Sequence, residues 1–119
     1  MIVCAIDDLL FSVKISTAAK ALGVTIYFER SPDKVLGTIR DKAPSLVIFD
    51  LNSARLKPME TIAALKGDPD LNTIRTLGYV SHVDAESIAA ARQAGIDQVL
   101  ARSAFASQLG NILTGAGPT

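Results

Sequence analysis

The sequence has little of what defines several common classes of protein. It contains one cysteine, Cys4, one histidine, His82, and no tryptophan. A single cysteine cannot form an intramolecular disulfide, and a histidine with no second histidine or cysteine placed beside it does not make a transition-metal site. Because Cys4 lies in an apolar segment, we interpret it as a small core residue. The sequence therefore argues against a disulfide scaffold and a zinc-type centre.

The chain also has no excess of charge of one sign and no long apolar run. Twelve basic residues balance twelve acidic ones, and like charges are not clustered, so no field favours nucleic acid or an anionic membrane. The longest apolar stretches, VCAI and LVIF, are far shorter than the roughly 20 residues that cross a bilayer. No basic segment precedes a long apolar one, as a signal peptide requires. We expect a cytoplasmic protein without a membrane or nucleic-acid partner.

The size and composition that remain are those of one globular domain. The chain has 119 residues, of which 49% are hydrophobic and 20% charged, which is ordinary for a folded protein and too apolar for a disordered one. We predict a single domain over residues 1–119. Its last five residues, GAGPT at 115–119, resemble a frayed terminus or the start of a linker.

Two alternating patterns organise the chain. Short segments rich in Val, Ile, Leu and aromatic residues predict strands at 1–6, 24–28, 45–49, 76–80 and 98–101. Segments of about a dozen residues with helical spacing lie between them. The strand segments are apolar throughout rather than alternating, which is typical of a parallel sheet buried between two helix layers. The predicted fold class is therefore α/β, a three-layer sandwich around a five-stranded parallel sheet.

Capping signals agree with these boundaries. Ser31 before Pro32 predicts the start of one helix, Pro58 can open another, and Asp84 can cap the fourth. Glycines at 23 and 95 fall where helices should end, each just before a strand.

Polar residues follow most of the predicted strands. In an open parallel sheet the carboxyl ends of the strands share one edge, where ligands bind. The residues at those ends are Asp7 and Asp8, Asp50, Ser81 and His82, and Arg102 and Ser103. We therefore expect three carboxylates, a hydroxyl and a guanidinium around a common hollow.

Clustered carboxylates repel one another and need a proton, a cation or a basic side chain nearby. Hard oxygen ligands suit Mg²⁺, so Asp8 and Asp50 are candidate direct ligands and Asp7 would act through a metal-bound water. An aspartate beside such a cation can also attack phosphorus and form an acyl phosphate.

Structural explanations compete with each of these roles. Asp8 and Asp50 could be helix N-caps, although the helix after Asp50 begins late, near Pro58. Ser81 could cap the fourth helix, and Arg102 could be a surface cation. Ile88 and its neighbouring alanines could form a homodimer face, but packing against the sheet is the favoured explanation.

Other chemistries lack their motifs. The first strand leads into DDLLFS rather than a glycine-rich phosphate loop, and no G-x-S-x-G sequence is present. A haloacid-dehalogenase-like phosphatase would need DxD where this chain has DDL. We therefore do not expect an enzyme.

The order of these elements resembles the receiver domain of bacterial two-component response regulators over essentially the whole chain. The residues that carry the resemblance are Ile6-Asp7-Asp8, Leu46-Val47-Ile48-Phe49-Asp50, Val80-Ser81 and Ala94-Gly95. It implies a flavodoxin-like sheet of strand order 2-1-3-4-5 and phosphorylation of Asp50 by a histidine kinase or phosphotransfer protein. It also implies Mg²⁺ bound by Asp8, Asp50 and the backbone carbonyl of Asn52, and a phosphoryl contact from Ser81. That contact would report to a downstream protein through the face of the fourth helix, fifth strand and fifth helix.

Several positions depart from the family pattern. Arg102-Ser103 replaces the usual lysine and proline, and an arginine does not place its charge as a lysine does. We expect that Arg102 bridges Asp50 and fills the hollow. The switch face is also unusual, since His82 replaces a small residue and Val99 replaces the aromatic that usually changes rotamer. The proline common at position 54 is Ala54, and the loop reads ARLKP.

Two functions remain open at this point. In the first, Asp50 accepts a phosphoryl group with Mg²⁺ and the domain changes its affinity for a partner. In the second, an atypical receiver no longer needs phosphate and serves as a constitutive docking or dimerisation module, with Arg102 locking the acidic hollow.

Overall fold

The computed structural model describes residues 1–81 and 84–115, and within them strands and helices alternate along the chain. The strands are β1 (Ile2–Ala5), β2 (Ile26–Phe28), β3 (Leu46–Asp50), β4 (Arg75–Val80) and β5 (Gln98–Ala101). The helices are α1 (Leu9–Leu22), α2 (Val35–Lys42), α3 (Pro58–Lys66), α4 (Ala85–Ala94), α5 (Arg102–Ser107) and α6 (Leu109–Leu113). Short 3-10 turns at Pro32–Lys34 and Ala54–Leu56 precede α2 and α3. The five predicted strands are confirmed, with boundaries shifted by one or two residues.

All neighbouring strands are parallel, and their order is β2-β1-β3-β4-β5. The strand order that the resemblance implied is therefore correct. Since every strand runs the same way, the carboxyl ends of β1, β3, β4 and β5 meet along one edge of the sheet.

Alternate residues of each strand face two separate hydrophobic cores. Along β1, Ile2 and Cys4 face one core while Val3 and Ala5 face the other. The first core is closed by α1, α5 and α6, and the second by α2, α3 and α4, through buried side chains such as Ile15 and Ile39. The predicted three-layer sandwich is confirmed, and Cys4 is a buried core residue.

The edge strand β2 departs from the expectation of burial on both faces. Ile26 and Phe28 are half-buried and Tyr27 is exposed. The strand has a neighbour on one side only, so its outer side stays in contact with solvent.

Most capping predictions are correct, and one is not. Asp84 caps α4 by accepting hydrogen bonds from the backbone N–H groups of Glu86 and Ser87, at 3.0 and 3.4 Å. Gly23 and Gly95 end α1 and α4 with φ of 71° and 103°, in the left-handed region that glycine tolerates. The prediction for Ser31 was wrong in its mechanism.

The Ser31 side chain makes no capping hydrogen bond. Its backbone N–H instead donates to Glu29 at 3.2 Å. Pro32 opens a 3-10 turn, and α2 begins three residues later, at Val35. The buried Glu29 carboxylate also accepts a hydrogen bond from the Thr38 hydroxyl at 2.6 Å, so it links the segment before α2 to the first turn of that helix.

Among residues 1–81 and 84–115, no helix has the length and hydrophobicity needed to span a bilayer. The longest, α1, has 14 residues.

Candidate functional site

The candidate site lies at the edge of the sheet where the strands end. Asp50 is the last residue of β3, Asp7 and Asp8 follow β1, and Arg102 begins α5 directly after β5. Asp7 and Asp8 both act electrostatically on Asp50. The three carboxylates therefore lie at the same edge of the sheet, as predicted, although they have different partners. We call this edge, with Asp7, Asp8 and Asp50, the rim.

Asp50 is buried, with 9% of its surface exposed. One of its carboxylate oxygens accepts a hydrogen bond from the backbone N–H of Asn52 at 3.0 Å. Burial raises the pKa of Asp50; the Asn52 hydrogen bond opposes this rise, Asp8 adds to it, and Arg102 opposes it. Asp50 does not cap a helix, because α3 begins eight residues later at Pro58. Its carboxylate is thus held in place, and within 1–81 and 84–115 no basic side chain forms a direct ion pair with it.

Asp8 has a structural role and an electrostatic one. Its Oδ1 accepts a hydrogen bond from the backbone N–H of Phe11 at 3.1 Å, which caps α1. Its Oδ2 accepts a hydrogen bond from Nη2 of Arg102. The Arg102 guanidinium also lies over the Phe11 ring, 4.5 Å from its centroid, in a cation–π contact. The expected bridge from Arg102 to Asp50 is corrected: the ion pair is formed with Asp8.

Asp7 pairs with a residue that the sequence analysis did not identify. Nε and Nη2 of Arg55 donate to the two carboxylate oxygens of Asp7 at 2.9 and 2.8 Å. The same Nη2 donates to the backbone carbonyl of Arg30 at 2.7 Å. The Arg55 hydrogen bond lowers the pKa of Asp7 and outweighs the effect of burial, which raises it. Forty-eight residues separate the partners, so no local pattern could have indicated the pair.

Ser81 and Asn52 connect the ends of β4 and β3. The backbone N–H of Ser81 donates to the side-chain oxygen of Asn52 at 2.5 Å. Ser81 is exposed and does not cap α4, since Asp84 does. The alternative explanation for Ser81 was therefore wrong, and its hydroxyl lies at the rim of the site.

Of the two residues predicted for the switch face, Val99 lies within the described residues. Val99 is half-buried in β5 and packs against the core closed by α2, α3 and α4. His82 falls outside the residues that the structure describes.

The oxygen donors at the rim match the chemistry of Mg²⁺, but they are not arranged as a ready carboxylate cluster. No group of three or more His, Cys, Asp or Glu side chains among the described residues is placed to hold a metal ion. Asp8, Asp50 and the Asn52 carbonyl would supply two carboxylates and one carbonyl, a set that hard cations accept. The residue types fit a divalent cation, and Arg102 already occupies one oxygen of Asp8.

An open groove adjoins the rim, with a volume of about 620 Å³. Its walls come from α1, from the ends of β4 and β5, and from α5, and include Leu10, Lys14, Ser81, Arg102 and Ser103. Leu9, Leu10 and Val13 on α1 are exposed by 68%, 84% and 64%. The site is therefore accessible to a large partner rather than enclosed around a small molecule.

Comparison with known proteins places this geometry in a well-populated fold. A response regulator from Hahella chejuensis superposes with a TM-score of 0.84 at 14% identity, over 95% of this chain and 91% of that chain. The phosphorylated cyanobacterial phytochrome response regulator RcpA gives 0.79 at 22% identity, over 97% and 89%. The Mn²⁺-bound form of the response regulator Rcp1 gives 0.78 at 16% identity, over 93% and 89%.

No family model matches the sequence, and no curated protein does. At identities of this order the likeness concerns the fold. The chain has the flavodoxin-like fold of response-regulator receiver domains, and the resemblance that the sequence analysis drew is confirmed at that level.

Proposed function

We propose that the chain is a receiver domain of two-component signalling that accepts a phosphoryl group on Asp50. One observation carries the proposal: Asp50 is a buried carboxylate at the end of the central strand, beside Asp7 and Asp8, without an ion-pair partner among residues 1–81 and 84–115. Burial raises its pKa, and a more basic carboxylate is a better nucleophile once ionised.

In this reaction a carboxylate oxygen of Asp50 attacks the phosphorus of a phosphohistidine on a kinase or phosphotransfer protein. The bond from phosphorus to the imidazole nitrogen breaks, its electron pair returns to the imidazole, and an acyl phosphate forms on Asp50. A bound divalent cation, as in the Mn²⁺-bound relative, would screen the incoming phosphoryl charge from the acidic residues.

Residues of this chain would hold the product. The Asn52 N–H fixes the orientation of Asp50. Arg102 acts electrostatically on Asp50, and Arg102 and Ser81 line the same groove. In the proposed product each of them would contact a phosphoryl oxygen. The Ser81 contact would change the surface of α4, β5 and α5 and so the affinity for a downstream protein.

The test is incubation with Mg²⁺ and acetyl phosphate, or with beryllium fluoride, followed by intact mass and two-dimensional NMR. We expect an adduct on the wild-type chain that Asp50→Asn abolishes. Asp41→Asn, which changes an exposed aspartate of α2, is the matched control and should keep the adduct. An adduct that persists in Asp50→Asn would contradict the assignment of the acceptor.

A second function is favoured by a different observation: both residues of the acidic pair, Asp7 and Asp8, form ion pairs with arginines. The domain would then act without phosphate, as a constitutive docking or dimerisation module in which Asp7 and Asp8 are already neutralised. If the wild-type chain forms no adduct and Asp50→Asn binds partners as the wild type does, this second function is supported over the first.

A further inference from the structure

We propose that Arg55 and Arg102 are built-in counter-ions of the acidic pair, Asp7 and Asp8, and that they compete with a divalent cation for these carboxylates. The inference rests on the proposed receiver function, which it refines by naming what regulates cation binding. The sequence analysis gave Arg55 no role and expected Arg102 to act on Asp50.

Arg55 makes more contacts than a simple surface ion pair does. Its planar guanidinium meets both oxygens of Asp7 and also the carbonyl of Arg30. Such two-pronged contacts fix orientation more strictly than a single hydrogen bond does. They join the loop after β3 to the chain just beyond β1 and β2. A cation that bound Asp7 through a water would have to share that carboxylate with Arg55.

Arg102 binds Asp8, the other residue of the acidic pair. It donates to Oδ2 of Asp8, while Oδ1 of the same carboxylate is used by the cap of α1. The stacking of Arg102 on Phe11 adds a second anchor. With both oxygens of Asp8 engaged, a cation that approaches this carboxylate meets the charge of Arg102 and competes with it for Oδ2.

The two arginines should differ in how strongly they compete with a cation. The Arg55 and Asp7 side chains are 52% and 36% exposed, whereas those of Arg102 and Asp8 are 37% and 29% exposed. Solvent screens the more exposed pair more strongly. Moreover, Arg102 competes for a proposed direct ligand, while Arg55 competes for a carboxylate that would act through water. Removal of Arg102 should therefore strengthen cation binding more than removal of Arg55.

The experiment measures Mn²⁺ affinity by electron paramagnetic resonance for the wild type, Arg55→Gln, Arg102→Gln and the double variant. We expect affinity to rise about threefold for Arg55→Gln, the scale of an exposed ion pair. For Arg102→Gln we expect at least about tenfold, the scale of a hydrogen bond between charged groups. Arg40→Gln is the matched control, because it removes an Arg–Asp pair, with Asp68, at the other edge of the sheet.

Two further measurements separate the outcomes. Asp8→Asn in the Arg102→Gln background should abolish the gained affinity, which locates the cation at the rim. Circular dichroism and NMR spectra of each variant check that the fold is retained. Equal affinities in the wild type and both single variants, or a gain in Arg40→Gln of the same size, would overturn the inference. Adduct formation on Asp50 is measured independently, so the proposed function can fail while the counter-ion effect stands, and the reverse.

Discussion

Asp50 is the residue at which burial and charge conflict most directly. Its carboxylate is among the few buried ionisable groups, and burial raises its pKa above the usual value. The folded chain therefore binds a proton at Asp50 more readily than the unfolded chain does. Because the folded pKa is raised, the stabilising contribution is present at low pH and is lost as the pH rises through the folded pKa, where ionisation of the buried carboxylate costs stability.

Replacement of Asp50 by asparagine should consequently stabilise the fold at neutral pH. We expect Asp50→Asn to raise the free energy of unfolding at pH 7, because burial of a neutral amide costs less than burial of an ionised carboxylate. The gain should shrink as the pH falls below the raised pKa, because wild-type Asp50 is then also neutral. Urea unfolding followed by circular dichroism measures the gain at pH 7 and its decrease at lower pH. Circular dichroism is used because the chain has no tryptophan to report unfolding by fluorescence. A loss of stability at pH 7 would contradict this account.

The sequence predicted which residues lie at the site but not which side chains they pair with. Asp50, Asp8 and Arg102 were identified because strand ends in a parallel sheet converge. Their partners were not, since the choice of Asp8 over Asp50 by Arg102 depends on side-chain rotamers and on stacking against Phe11. Arg55 had no signal at all, because its contact with Asp7 is set by the tertiary path of a loop. The predicted ligand set of Asp8, Asp50 and Asn52 stays a prediction.

At the scale of elements, β4 has a position at which packing leaves no room for a side chain. Gly78 lies in its centre, and a Cβ atom there would come within 2.6–2.8 Å of side-chain atoms of Leu51 and Ile96. The residue after β3 therefore packs across β4 only because position 78 has no side chain. By contrast, Gly37 in α2 has open space around it.

This difference predicts opposite effects for the same substitution. Gly78→Ala should lower the free energy of unfolding by about 1–3 kcal/mol, because it overpacks the core closed by α2, α3 and α4. Gly37→Ala should raise it by about 0.5–1 kcal/mol, because alanine restricts the unfolded chain and favours the helix. Urea denaturation of the two variants beside the wild type provides the measurement. Changes of the same sign would show that local packing does not decide the outcome.

The elements themselves were largely predictable because each is marked by its own sequence. Apolar runs located all five strands, and Asp84, Gly23 and Gly95 located helix ends. The start of α2 was misjudged because the Ser31 side chain makes no capping hydrogen bond and Pro32 opens a 3-10 turn before the helix. Local patterns do not reveal that Glu29, just after β2, holds this segment through hydrogen bonds from Ser31 and Thr38.

At the scale of the whole molecule, the two edges of the sheet have different roles. The edge opposite to the rim is held by Asp97, whose Oδ2 accepts hydrogen bonds from Lys66 at 2.8 Å and from the backbone and hydroxyl of Thr76 at 2.8 and 2.9 Å. These contacts tie α3, β4 and the start of β5 together. Burial raises the pKa of Asp97, but the bonds from Lys66 and Thr76 outweigh it and lower the pKa overall.

Asp97→Asn should therefore weaken the fold and leave the rim unaffected. We expect a loss of about 1 kcal/mol at pH 7, because the half-exposed carboxylate is screened by solvent. Since the folded pKa is lowered, this contribution is complete above the usual pKa and is lost as the pH falls through the folded one. The difference between variant and wild type in urea unfolding should thus vanish in strong acid. Loss of the Asp50 adduct in a folded Asp97→Asn chain would contradict the separation of the two edges.

The overall topology followed from the sequence because uninterrupted apolar strands alternating with helices permit few arrangements. The strand order came from the resemblance, and the structure confirms it. Which surface a partner occupies was not predictable, because it depends on exposure. Side chains such as Leu9, Leu10 and Val13 look like core residues in the sequence but face solvent.

The junction between β5 and α5 has a mechanical consequence. β5 ends at Ala101 and α5 begins at Arg102, so no loop separates the sheet from the helix. A rotation of α5 against the sheet would have to be absorbed at Ala101 alone, which ends β5 and precedes α5 with an extended backbone. Any signal that pulls Arg102 off Asp8 must therefore travel either as a rotamer change of that one side chain or as a displacement of α5 as a rigid lever.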